Sequence, residues 1–356
     1  MNTTEELLRD ALSATANTIE PDTLTPLRAP DRRRSPTRWA TPLASAGALL
    51  VLVVVVVIGG RMHDSQPQPA LSGGSGPSRI VTVTDGAAVV RDASGRKTAD
   101  VPAVRGSYVA VSADRDGRTF FLAAAEGRCA VSVYRLTFRA DGLVNAPQRV
   151  SKSIRVSEDD TALAVSPDGT RLAVTGACES TYQVSVVDTR SGEVRTWTAP
   201  TTARMRFPAS WSTDGRTLTV FWWDVRRDVE KAPILLLDPQ KPLNGDLSKA
   251  PVLRLAGIHE GRLEGGRIEA FAYNPDGRTM TAVVSLDNYR SAVTRLSATT
   301  GQLIGEPTPI PNFAIRVVPD ATGRRLLLAG DGRVARMDGD QLKWIKVGEN
   351  FTDAAW

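Results

Sequence analysis

The chain has 356 residues, 42% hydrophobic and 23% charged, with a formal net charge of +5. That is globular composition and excludes both wholesale disorder and a multi-span membrane protein. Its 37 Arg and 7 Lys are spread along the chain rather than gathered on one stripe, so no nucleic-acid partner is expected, and with only His63, His259, Cys129 and Cys178 of their kinds no zinc spacing is present.

In chain order, the first element is a short helix. Thr3 and Glu6 have the spacing of a capping box, and Leu8, Ala11, Leu12, Thr15 and Ile19 fall on one helical stripe that Pro21 ends. Residues 1–27 carry Glu5, Glu6, Asp10, Glu20 and Asp22 against Arg9, so this helix is acidic. Arg28, Arg32, Arg33, Arg34 and Arg38 follow. From Leu43 to Gly60 the chain then runs LASAGALLVLVVVVVIGG without a charge, a stretch that spans about 27 Å as a helix and crosses a bilayer. Beyond it Arg61 is balanced by Asp64, and because the basic flank stays inside, the N-terminus is expected to be cytoplasmic. The rival readings are a cleaved signal peptide, which lacks a small-x-small site in IGGRMHDSQ, and a buried core helix. The chain thus divides into a tail (1–40), a single-pass transmembrane helix (41–61), a Pro/Gly/Ser-rich flexible linker (62–78) and an extracytoplasmic domain (79–356) at the plasma membrane.

In that domain a strand, an Asp-Gly type turn and a second apolar strand recur as YVAVSADRDGRTFFLAA, ALAVSPDGTRLAVTG, ASWSTDGRTLTVFWW, AFAYNPDGRTMTAVV and RVVPDATGRRLLLAG. The turn glycines, Gly117, Gly169, Gly215, Gly277 and Gly323, are spaced by 52, 46, 62 and 46 residues, matching the about 40 to 50 residues of a four-stranded propeller blade. Residues 80–101 read as the second to fourth strands of a blade whose first strand is missing. The chain's last residues, Asn350 to Trp356, parallel the first strand ending at Trp211. The C-terminal strand is therefore expected to close the ring, giving an all-β, six-bladed β-propeller. A seventh blade would have to lie within the 62-residue interval, whose Pro239 to Pro251 stretch reads as an insertion.

Ser166-Pro167-Asp168-Gly169, with its variants Asn274-Pro275-Asp276-Gly277 and Ser212-Thr213-Asp214-Gly215, resembles the SPDG blades of TolB-like and WD-repeat-like bacterial propellers. The resemblance covers residue 80 onward, without the Gly-His and Trp-Asp dipeptides of the eukaryotic pattern. It implies fold and hardly any function.

Cys129 and Cys178 occupy similar places in consecutive blades, in the hairpin between second and third strands. An extracytoplasmic setting predicts a disulfide between them, against the alternative of two buried thiols. Second-to-third and fourth-to-first connections gather on one face of a propeller, around the channel mouth. Here they carry Trp222, Trp223 and Tyr289 as stacking surface, Arg204, Arg206, Arg226, Arg227, Arg262, Arg267 and Arg290 as a cationic rim, and His259. These form the candidate ligand face for an anionic or carbohydrate-like group; the plainer alternative is that Arg-rich loops reflect Arg-rich composition. Asp168, Asp214 and Asp276 fall on the opposite face as turn formers, and Asp114-Arg115-Asp116-Gly117 lacks the distant glutamate of a calcium loop.

No nucleophile elbow, phosphate loop or catalytic motif is found, and no cofactor is implied. The first reading is a non-catalytic, membrane-anchored module that binds an extracytoplasmic protein, peptide or cell-envelope ligand. The second is signal transfer to a cytoplasmic regulator through residues 1–27, in a layout that resembles membrane-bound anti-sigma proteins. The third is a lyase or hydrolase acting on glycans or lactones with His259 and carboxylates at the channel mouth.

Overall fold

The computed structural model describes residues 78–356, except 116, 202–207, 222–233, 256–266, 287–289, 311–313, 324, 331–332, 339–340 and 348–350. Residues Gly73–Trp356 form one compact unit. The expected N-terminal helix and the Leu43–Gly60 span lie outside the described residues, among which no helix is long and apolar enough to cross a membrane.

Among the described residues twenty-four strands form six four-stranded antiparallel sheets. Blade 1 holds β1 (Arg79–Thr84), β2 (Ala87–Asp92) and β3 (Lys97–Asp100). Blade 2 holds β4 (Ser107–Ala113), β5 (Thr119–Gly127), β6 (Ala130–Thr137) and β7 (Gln148–Arg149). Blade 3 is β8 (Ala162–Val165), β9 (Arg171–Cys178), β10 (Thr181–Asp188) and β11 (Val194–Pro200). Blade 4 is β12 (Ala209–Trp211), β13 (Leu218–Phe221), β14 (Ile234–Leu237) and β15 (Val252–Leu253). Blade 5 is β16 (Arg267–Tyr273), β17 (Thr279–Leu286), β18 (Arg290–Ser297) and β19 (Leu303–Ile310). Blade 6 is β20 (Arg316–Pro319), β21 (Arg325–Gly330), β22 (Arg333–Asp338) and β23 (Gln341–Lys346). The last strand, β24 (Phe351–Ala355), returns to blade 1 and pairs antiparallel with β1, Val81 facing Ala355. The ring is thus closed by joining the two ends of the domain, as the repeat arithmetic predicts.

Each recurring turn is built the same way. The first residue of the tetrad accepts a hydrogen bond from the glycine N–H, as in Ser166 O from Gly169 N at 2.9 Å and Asn274 O from Gly277 N at 3.0 Å. Gly169 and Gly277 have φ of +67° and +65°, a region in which a side chain is strained. They are also crowded from the neighbouring blade: a Cβ on Gly169 would run into the Asp114 carboxylate, and one on Gly277 into the Thr213 hydroxyl. Gly169 and Gly277 therefore serve two ends, reversing the chain and seating one blade's turn against the previous one.

The core lies between blades rather than at one centre. Blades 1 and 2 share Val81, Val90, Tyr108, Phe120 and Leu122; blades 6 and 1 share Ile80, Leu327, Ala329, Val334 and Trp356. Because each sheet is sandwiched between two others, its middle strands are buried on both faces, and TFFLAAAEG of β5 and RLAVTGAC of β9 read as continuous small and apolar runs rather than as alternation. The outer strand β19, LIGEPTPI, is by contrast largely exposed.

Among its described residues the 62-residue interval holds an insertion and no extra blade. Two single-turn 3₁₀ segments, Leu243–Gly245 and Leu247–Lys249, lie between β14 and β15. They lean on blade 3, where Trp197 Nε1 donates to Pro242 O at 3.0 Å and Thr198 bridges Asp246.

Candidate functional site

The innermost strand of every blade turns an unpaired backbone edge toward the central axis, and such groups need partners. Side chains, most of them from other blades, supply them. Asp353 of β24 accepts from Val111 N at 2.9 Å and from Ala354 N at 2.9 Å. Arg316 of β20 reaches across from blade 6 and donates through Nη2 to Val111 O at 3.0 Å and Leu163 O at 3.1 Å. Its Nε is 3.6 Å from Asp353 Oδ1, with side-chain exposures of 16% and 2%. That Nε makes no hydrogen bond, so the pair is held by charge and the guanidinium's directed bonds go to the two carbonyls. One arginine thereby links blades 6, 1, 2 and 3 across the channel. On the other side Trp211 Nε1 donates to Ala164 O at 2.9 Å and Ser210 Oγ accepts from Tyr273 N at 3.0 Å.

The mouth face is described mainly on blades 1 to 3. Cys129 and Cys178 are joined by a disulfide with Cα atoms 5.8 Å apart, connecting the β5–β6 hairpin to the β9–β10 hairpin. The predicted pairing is present. Beside it Arg155 and Glu179 form an exposed ion pair at 2.9 Å, worth little in water. Toward blade 1, Glu126 accepts from Arg149 Nη2 at 3.2 Å and from the Tyr134 hydroxyl at 3.4 Å. Burial, and then the neighbouring Glu126 carboxylate, push the Tyr134 phenol up. Burial and then Tyr134 raise Tyr108 to about 12, and its hydroxyl donates to Pro102 O at 2.7 Å. Both tyrosines remain neutral at physiological pH and serve as hydrogen-bonding groups, not as bases.

Of the candidate ligand face, Trp222, Trp223, Arg226, Arg227, Tyr289, Arg204, Arg206, Arg262 and His259 lie outside the described residues. Arg267 and Arg290 begin β16 and β18, and their side chains also lie outside. By chain order the other candidates fall between second and third or between fourth and first strands, whereas Arg267 and Arg290 are strand residues and not loop residues. Among the described residues no three His, Cys, Asp or Glu side chains converge as metal ligands. The residues that sequence reasoning missed are Arg316 and Asp353. The one available signal was a charge inside innermost strands otherwise made of small and apolar residues, FTDAA and RVVP.

On the opposite face the turn aspartates are hydrogen-bond acceptors. Asp214 receives bonds from Ser212 Oγ at 2.6 Å and Arg216 N at 3.0 Å, which hold its carboxyl below the usual range. For Asp168 and Asp276 burial opposes ionisation, but bonds from Ser166 and Thr170, and from Thr279 and Arg278, outweigh it. Asp92, in the β2–β3 turn, is lowered to about 2, chiefly by the Ser94 hydroxyl. With folded-state pKa values depressed, the stabilisation is complete above the ordinary carboxylate range near pH ~4 and lost as pH falls through the folded values. Acid titration followed by near-UV circular dichroism is accordingly expected to show tertiary structure retained at pH 5 and lost progressively below about pH 4, toward pH 2. A transition centred above pH 5 would contradict this assignment.

No family model and no curated protein matches this sequence. Among solved structures the chain is similar to TolB from Acinetobacter baumannii, with a TM-score of 0.58 and 14% identity over 90% of this chain and 74% of that one. It is also similar to a chain of a nidogen/laminin complex, with a TM-score of 0.53 and 10% identity over 78% of this chain and 97% of that one. At such identities the likeness is one of fold, and what it shows is that residues from Arg79 to the C-terminus form a TolB-like six-bladed β-propeller.

Proposed function

We propose that this protein is a single-pass membrane protein whose propeller lies outside the cytoplasm and binds a protein, peptide or cell-envelope ligand without catalysing a reaction. The observation that carries this reading is the Cys129–Cys178 disulfide, a bond that persists in oxidising compartments and is rare in the cytosol. It agrees with the orientation assigned to Leu43–Gly60 from the arginines before it. The disulfide also uses the chain's two cysteines, leaving no free thiol as a nucleophile. The aromatic and arginine side chains of Trp222, Trp223, Arg226, Arg227 and Tyr289 are the proposed contact surface. The alternative reading is signal transfer, in which the apolar stripe of the acidic helix expected in residues 1–27 docks a cytoplasmic regulator.

Two measurements test the reading. Alkaline phosphatase fused after residue 78 is expected to be active, and after residue 40 inactive; the reverse pattern overturns the orientation. Full-length protein is expected to capture one defined envelope component, and joint replacement of Trp222, Trp223, Arg226 and Arg227 by alanine to abolish capture. Unchanged capture by the quadruple variant removes this face from the proposal.

A further inference from the structure

The outer strand of each blade presents an edge that another strand can join. Five of the six are blunted. β7 and β15 have two residues each, and the four-residue β3 meets a register shift between Val90 and Arg91. β11 is covered by the blade 4 insertion through Thr198 and Asp246. β19 carries Pro307 and Pro309 and a register shift between Val293 and Arg295, and each proline lacks the N–H an incoming strand would use. β23 has none of these defences. Its six residues pair one for one with Arg333–Asp338 without a bulge, and among the described residues nothing pairs with its far side.

The chemistry of this edge selects its occupant. Lys343 is exposed and lies directly opposite Arg336, a like-charge pair that weakens a sheet unless an acid is added beside it. β23 contains no acid, and Asp338, on its neighbour, is engaged 3.7 Å from Arg325. In the alternate positions Leu342 and Trp344 are half-buried against the core shared with blade 5, leaving an apolar row that a further strand would extend. A second copy of β23 would bring more lysines and no acid, so self-pairing is disfavoured by the same charges that favour an acidic chain.

We infer that β23 is a docking edge for an extended segment of a partner protein that places an acidic residue beside Lys343 and apolar residues beside Leu342 and Trp344. The segment adds as a fifth strand of blade 6, its main chain supplying hydrogen bonds and its alternate side chains the selectivity. This surface is on the rim of the propeller and is independent of the mouth-face reading.

The test uses full-length protein in detergent micelles and two labelled peptides, one alternating glutamate with valine, the other lysine with valine. Fluorescence anisotropy is expected to show the glutamate peptide binding about tenfold more tightly, an attractive cross-strand pair replacing a repulsive one. Amide exchange is expected to slow within Gln341–Lys346, and Lys343→Glu, an exposed change, to invert the preference. Equal or absent binding of the two peptides, protection elsewhere, or indifference to Lys343→Glu overturns the proposal. Protection of the same strand on self-association without peptide also overturns it, by naming a second copy as the occupant.

Discussion

Replacing Asp353 with alanine is expected to lower the unfolding free energy by about 3 kcal/mol, the lower part of the range for breaking a buried ion pair from one side. The lower part applies because Arg316 keeps its two carbonyl bonds and its Nε is 3.6 Å from the carboxylate rather than hydrogen-bonded to it. What is lost is the acceptor for Val111 N and the countercharge of a guanidinium that is only 16% exposed. Arg316→Met should cost a similar amount for the converse reason, stranding the Asp353 carboxylate. If the two groups act as one latch, removing both together costs clearly less than the sum of the single changes. Denaturant unfolding of the four proteins measures this. Additive losses, or a loss below about 1 kcal/mol for Asp353→Ala, would mean that β24 is held by its ladder with β1 and by Trp356 packing alone.

Loss of the disulfide has an effect of the same order. Cys129 and Cys178 close a loop with a sequence separation of 49, for which the chain-entropy account gives about 4 kcal/mol of stabilisation. The native geometry imposes no obvious opposing cost, since the Cα separation of 5.8 Å lies within the ordinary span. The bond also joins two sheets that meet through side-chain contacts, including Arg135 of blade 2 donating to Thr189 O of blade 3, and through the segment between β7 and β8, whose Ile154 bridges Val131 and whose Ser157 N donates to Ala177 O. Reduction, or Cys129→Ser with Cys178→Ser, is expected to lower the unfolding free energy by about that amount while leaving the fold intact at low temperature. An unfolding free energy unaffected by reductant would mean that the unfolded chain already keeps residues 129 and 178 close, for which residual contacts among Val131, Val133, Leu163, Leu172 and Val174, neighbours in the folded core, are the natural source.

Much of this architecture was legible from residues close together in the chain. The Ser166–Gly169 tetrad and its relatives declare a turn through Pro, Asp and Gly chemistry, and their period declares a blade. Residues 80–101 and 351–356 are each a fragment of the same unit, so closure of the ring follows from counting. The cysteines could be paired because they fall at equivalent places in adjacent blades. The latch could not be found in this way. Arg316 meets carbonyls 205 and 153 residues away in sequence, and Trp211 meets one 47 residues away; each separation is within one residue of the spacing between the corresponding turn glycines, so the repeat puts these residues at equivalent places on innermost strands but does not say which side chain reaches which carbonyl. Nor does the sequence of β11 or β23 say which edge is covered, because that depends on where the blade 4 insertion settles.

What the sequence determined by itself is the set of local choices: strands, turns, the order of the sheets and the ring's closure, all governed by turn chemistry, repeat length and burial on both faces. What only the tertiary structure decided is which polar groups meet across the axis and which edges remain open. Those contacts join residues with no local relation, and they exist only once six twisted sheets have packed around one channel and each unpaired backbone group has taken the nearest partner within reach.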